Sequence, residues 1–143
     1  MSVGQISVKL ICRDFPKGEG LHLGIQEGKE VTDLRPLEGK EIIFEAPFRL
    51  GARKKDGGPN FLGAYAQGTP GERFLYLNWG QLQGDGSFDY PSRAKVHLSH
   101  ISWQDIEKAD KAGKPLTAEL TMTDQRGNPI CATVRPENIS WKL

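Results

Sequence analysis

Cysteine is scarce: Cys12 and Cys131 are the whole supply in 143 residues. Two thiols cannot staple a disulfide framework, so the fold must rest on a packed core, which a chain of this length can build as one domain, 1–143. No stretch approaches the roughly 18 to 20 apolar residues that a membrane helix requires. The segment Met1 to Arg13 alternates polar and apolar residues and has no continuous apolar core of a secretion signal. Neither sign of charge dominates, with 19 Lys and Arg against 18 Asp and Glu. That balance removes the long-range field by which basic proteins attract nucleic acid or anionic membranes. The expectation is a soluble cytoplasmic protein with free thiols and no membrane partner.

Signatures of catalysis are missing as well. There is no Gly-x-Ser-x-Gly elbow, no Cys-x-x-Cys or His-x-His pair, and no Gly-x-x-x-x-Gly-Lys-Ser/Thr phosphate loop. His97 and His100 stand three apart on a predicted strand, so they point to opposite faces and cannot share a metal. With His22 elsewhere, no metal and no cofactor is expected. Cys12 shares its phase with Ile6, Val8 and Leu10 and reads as core. Cys131 lies between Arg126 and Arg135, yet a packed small hydrophobe is favoured there over a nucleophile.

What is present is β-pattern. Gly71 to Gly80 encloses Phe74-Leu75-Tyr76-Leu77-Asn78-Trp79, too short for an independent helix and too aromatic for a loop. It predicts a central strand, buried on both faces or nearly so. Ile6–Cys12, Leu21–Ile25, Arg93–Ile101 and Leu116–Met122 alternate with period two, as half-buried strands do. Glu41–Phe48 reads as a strand in which Pro47 forces an edge position or a bulge. Phe61–Gln67 reads as another, and Ile130–Val134 and Ile139–Leu143 as the last two. Glu27–Gly39 is polar, contains Pro36, and reads as a long surface connection. Asp56-Gly57-Gly58-Pro59, Gly84-Asp85-Gly86-Ser87 and Asp124–Pro129 are turn signals.

One helix stands out. Ser102 is a suitable N-cap, Asp105 follows three residues later, and Gly113 with Pro115 supplies the stop. Trp103, Ile106 and Ala109 form a narrow apolar stripe, so Trp103 and Ile106 are expected to dock on a sheet. Trp103→Ala should then cost on the order of 3 kcal/mol. The sum is a mainly β fold, an antiparallel β-sandwich or partly closed barrel with one flanking α-helix.

The stretch Gly71–Gly80, with Gly58-Pro59-Asn60-Phe61 before it, Arg93–Leu98 after it, and the closing 124–136 segment followed by Trp141, resembles a family of small bacterial proteins of unknown function. The resemblance runs over nearly the whole chain. It implies membership and no activity.

Two constellations are candidates for binding. Arg73, Tyr76 and Trp79 on the central strand, with Arg93, Lys95 and His97 on a neighbouring one, interleave polar handles with apolar walls and can converge on a small anionic or aromatic ligand. Arg73 and Trp79 share one strand phase and Tyr76 and Asn78 the other, so only one pair can face a given cavity. Arg53, Lys54 and Lys55 in the glycine-rich 51–58 segment can hold an anion, although no helix follows them to add its dipole. The leading expectation is a non-enzymatic module that binds a small ligand or a protein partner through the sheet or the basic loop. The alternatives are a small enzyme with His97 as base and Arg73 or Arg93 as clamp, and single-stranded nucleic-acid binding, which overall neutrality disfavours.

Overall fold

The computed structural model describes residues 3–14, 20–37, 41–121 and 141–142, with residues 90–92 described by their backbone alone. The hairpin expected at Asp124–Pro129, the strand expected at Ile130–Val134, Cys131, and most of Ile139–Leu143 lie outside the described residues. Among the described residues eight strands occur in chain order: β1 (Gln5–Arg13), β2 (Leu21–Glu27), β3 (Glu30–Pro36), β4 (Glu41–Leu50), β5 (Phe61–Leu62), β6 (Phe74–Leu82), β7 (Phe88–His97) and β8 (Leu116–Thr121). One helix, α1 (Trp103–Ala112), stands between β7 and β8. The fold is mainly β, as expected, and consists of two strongly curled four-stranded sheets. Their orders are β5-β4-β1-β8 and β3-β2-β6-β7.

Alternation explains the packing. Ile6, Val8, Leu10 and Cys12 of β1 are buried, as are Ile42, Phe44, Ala46 and Phe48 of β4 and Leu116, Ala118 and Leu120 of β8. From the other sheet Leu23, Ile25, Leu75, Leu77, Trp79, Ala94 and Val96 join the same core. β1, β4 and β8 therefore give one phase to a shared interior and the other to the outer face, whereas β2 and β6 are buried on successive residues at their centres. β6 is central, between β2 and β7, as its aromatic run predicts.

The antiparallel expectation holds for every ladder but one, because β8 runs parallel to β1. The chain leaves the second sheet at β7, passes through α1, and enters the first sheet beside β1 in the same direction. That crossover requires a connection longer than a tight turn, and α1 supplies it. Among the described residues no helix is long and apolar enough to cross a membrane.

Three sequence-based expectations need correction. Glu27–Gly39 is not a plain connection, for it contains β3, hydrogen-bonded to β2 across a tight turn. The register shifts between Leu23 and Ile25, and Asp33 takes a left-handed φ of 53°, so the alternation that marks a strand is broken there. The strand expected over Phe61–Gln67 shrinks to Phe61–Leu62, with an isolated bridge from Gln67 to Phe74. His100 falls in a turn beyond β7 rather than on the strand with His97. Pro47 sits in β4 where the ladder to β5 is absent, since β5 pairs only with Arg49 and Leu50. The missing N–H of proline is tolerated at that locally free edge.

The helix is capped as its sequence predicts. The Ser102 hydroxyl accepts from the Asp105 amide at 3.2 Å, while the Asp105 carboxylate accepts from the Ser102 amide at 3.0 Å. Gly113 closes the helix at φ 67°, a left-handed conformation that glycine adopts without strain. Ile106 and Ala109 are buried, but Trp103 is only half-buried, against expectation. It opens the first turn at the rim, where Arg53 of the neighbouring loop lies 4.6 Å over its ring.

Candidate functional site

The six residues expected to converge divide between two environments. Leu75, Leu77 and Trp79 point inward, and Trp79 is 3% exposed within the core. Arg73 shares that phase, just ahead of β6, and its guanidinium donates through Nη1 to the Gly68 carbonyl. Tyr76, Arg93 and His97 lie on the outer face of the same sheet. The β6–β7 register sets Phe74 opposite His97, Tyr76 opposite Lys95, and Asn78 opposite Arg93.

On that face aromatic and cationic side chains interleave. The Arg93 guanidinium lies 4.7 Å over the Tyr76 ring, and the Lys95 ammonium lies 4.3 Å over Phe74 and 5.9 Å from Tyr76. Phe74 and Tyr76 meet edge to face at 4.7 Å, and His97 stands 6.3 Å from Phe74. The quadrupole of each ring attracts the cation above it, a contact worth about 0.5–1 kcal/mol at an exposed site. Partial burial, and then the nearby Lys95 charge, hold the His97 pKa below its ordinary value, which favours the neutral ring.

Phe74 does not stand out in the sequence, because its apolar neighbours suggest a doubly buried strand. Its phase was readable: it alternates with Tyr76 and Asn78, and the polar Asn78 marks the outer side.

Four cations rest on rings among the described residues, and their other partners differ. Arg35, 4.9 Å over Phe44, forks onto Asp33 at 3.1 and 2.8 Å. Arg53, over Trp103, donates twice to the Gly57 carbonyl at 2.9 and 2.6 Å. Arg93 and Lys95 belong to none of the ion pairs formed among the described residues. On the outer face of the other sheet, by contrast, Arg13 meets Glu41 at 3.2 Å and Glu119 at 3.5 Å.

The basic loop occupies a different place from the sheet face. Folding brings Arg53 and Lys54 against the start of α1, where they line a cleft of about 310 Å³ with Ser99, His100, Ser102 and Trp103. The helix missing from the local sequence is thus supplied by a distant segment. Its first turn is already capped by Asp105, Lys54 lies 3.8 Å from Asp56, and the Arg53 donors are directed to Gly57. Lys55 opens onto a separate depression beside Asn60, Pro70 and Gly71. Arg53 and Lys54 are thus engaged within the loop itself. Burial pushes the Cys12 thiol up to about 12, against a smaller opposing effect of Arg35, so it is neutral and closed to solvent. Among the described residues no three His, Cys, Asp or Glu side chains gather as a metal site would require.

A family model matches residues 6–143. The chain belongs to DUF5990, a family of unknown function. The DUF5990 match covers both sheets, α1, the basic loop and the whole aromatic–cationic face. No curated protein and no solved structure was found to match the chain.

Proposed function

We propose that this DUF5990 chain is a non-enzymatic binding module and that its contact surface is the outer face built by Phe74, Tyr76, Arg93, Lys95 and His97. Its partner is anionic. The observation that carries this reading is that Arg93 and Lys95 are held on aromatic rings without a carboxylate partner among the described residues. A cation resting on a ring has already surrendered part of its side-chain freedom, so less entropy is lost when an anion docks. Its outward side keeps its hydrogen-bond donors for the partner.

The same contacts weigh against base stacking. Each ring carries a cation over it and meets the other ring edge to face, which leaves no bare platform for a nucleobase. They also weigh against an enzyme built on His97 and Arg93, because an open sheet face does not exclude water from a reacting group.

The test is retention of poly-glutamate by the wild type and by an Arg93→Glu, Lys95→Glu double variant. Wild type should bind with an affinity that falls as salt rises, and the variant should bind at least about tenfold more weakly. Indistinguishable affinities at low salt would remove this face as the contact surface.

A further inference from the structure

We infer that the anionic partner is an extended acidic polypeptide segment that adds as a strand beside β7. This inference rests on the proposed anionic face and specifies how that face is read. Three observations converge on it. β7 ends the order β3-β2-β6-β7, so among the described residues no strand pairs with its far side. It spans ten residues, and its outer phase carries Arg93, Lys95 and His97 at every second position. A strand laid against that edge would place its own alternate side chains directly opposite these three, at cross-strand pairing distance. Acidic residues two positions apart therefore match the spacing of the cations Arg93 and Lys95, and main-chain hydrogen bonds supply affinity independent of side chains.

The other sheet edges fit such a partner less well. β5 is two residues long. β8 exchanges backbone hydrogen bonds with Lys142 on its far side, at 2.7 and 2.8 Å. β3 exposes Glu30, whose charge repels an acidic strand, and its one arginine, Arg35, is already forked onto Asp33. On β7 the proline at position 91 cannot donate, so pairing would use the stretch from Arg93 to His97. An exposed edge also invites unwanted pairing, and cations along it restrict entry to strands of opposite charge.

Three synthetic nine-residue peptides test the inference. The first carries glutamate at alternate positions between threonine and valine. The second has the same composition with its glutamates grouped. The third repeats the first with alternate backbone amides N-methylated. Fluorescence anisotropy reads affinity, and amide hydrogen exchange reads protection along residues 93–97. The alternating peptide should bind at least about tenfold more tightly than the grouped one. N-methylation should abolish that advantage, and protection should rise on β7 alone.

The neutral double variant Arg93→Gln, Lys95→Gln, with its fold verified by circular dichroism, should lose binding of the alternating peptide. Equal affinity for alternating and grouped peptides, lost in this variant, would overturn strand addition and leave the anionic face standing. Equal affinity that the variant retains would overturn both. A dimer formed without peptide and abolished by the variant would make a second copy the occupant and overturn the acidic segment.

Discussion

Asn78 carries a carboxamide that is 0% exposed, and among the described residues neither its oxygen nor its nitrogen is hydrogen-bonded. It lies on β6 between Gly24 of β2 and Arg93 of β7. Gly24 is tightly covered, for a Cβ there would fall 2.5 Å from Val31 and 2.8 Å from Leu34. An amide buried without a partner costs roughly 1–3 kcal/mol, whereas an apolar group of similar size incurs no such penalty. Asn78→Leu is accordingly expected to raise unfolding free energy by about 1 kcal/mol, measured by urea denaturation. A loss of about 2 kcal/mol or more would mean that the amide holds a partner in solution. Alternation identifies the outer phase of Asn78, but its complete burial depends on neighbours from other strands.

Helix α1 separates what local chemistry dictates from what packing adds. Its caps follow from Ser102, Asp105 and Gly113 alone, and Ser102→Ala should cost about 1 kcal/mol. Ile106 is fully buried, so Ile106→Ala should cost about 2–5 kcal/mol. Trp103 is half-buried beneath Arg53, and Trp103→Ala should cost only about 1 kcal/mol, not the 3 kcal/mol of a core indole. Thermal or urea unfolding of the three variants checks the order, which fails if Trp103→Ala costs more than Ile106→Ala. The stripe Trp103, Ile106, Ala109 shows which side of the helix is apolar, but how far under the sheets that side slides depends on the crossover to β8. The same distinction accounts for β3. A bulge and a left-handed Asp33 erase its period, so only pairing with β2 reveals it as a strand.

Taken over the whole molecule, near-neutral charge hides an uneven distribution. Carboxylates and cations pair across the outer face of the first sheet, while the second presents Arg93 and Lys95 on their rings. The two sheets meet through one continuous core, to which Leu10 contributes from β1 and Leu77 from β6, both fully buried. Leu10→Ala and Leu77→Ala should each lower stability by about 2–5 kcal/mol and leave a single cooperative transition. Far-ultraviolet circular dichroism and tryptophan fluorescence should trace that transition at one midpoint. Separate midpoints would mean that the sheets unfold independently.

Period-two patterning, turn residues and helix caps are interactions between near neighbours in the chain. They suffice to read most strands, the helix and the mainly β class directly from the amino acids. The phases of Tyr76 and Trp79 were readable in the same way. The parallel pairing of β8 with β1, the seating of the basic loop against α1, and the seating of Arg93 and Lys95 on rings across the β6–β7 ladder arise from contacts between distant segments. Such contacts depend on which faces close over a common core, and that choice is made by the packing of all strands together rather than by any one of them.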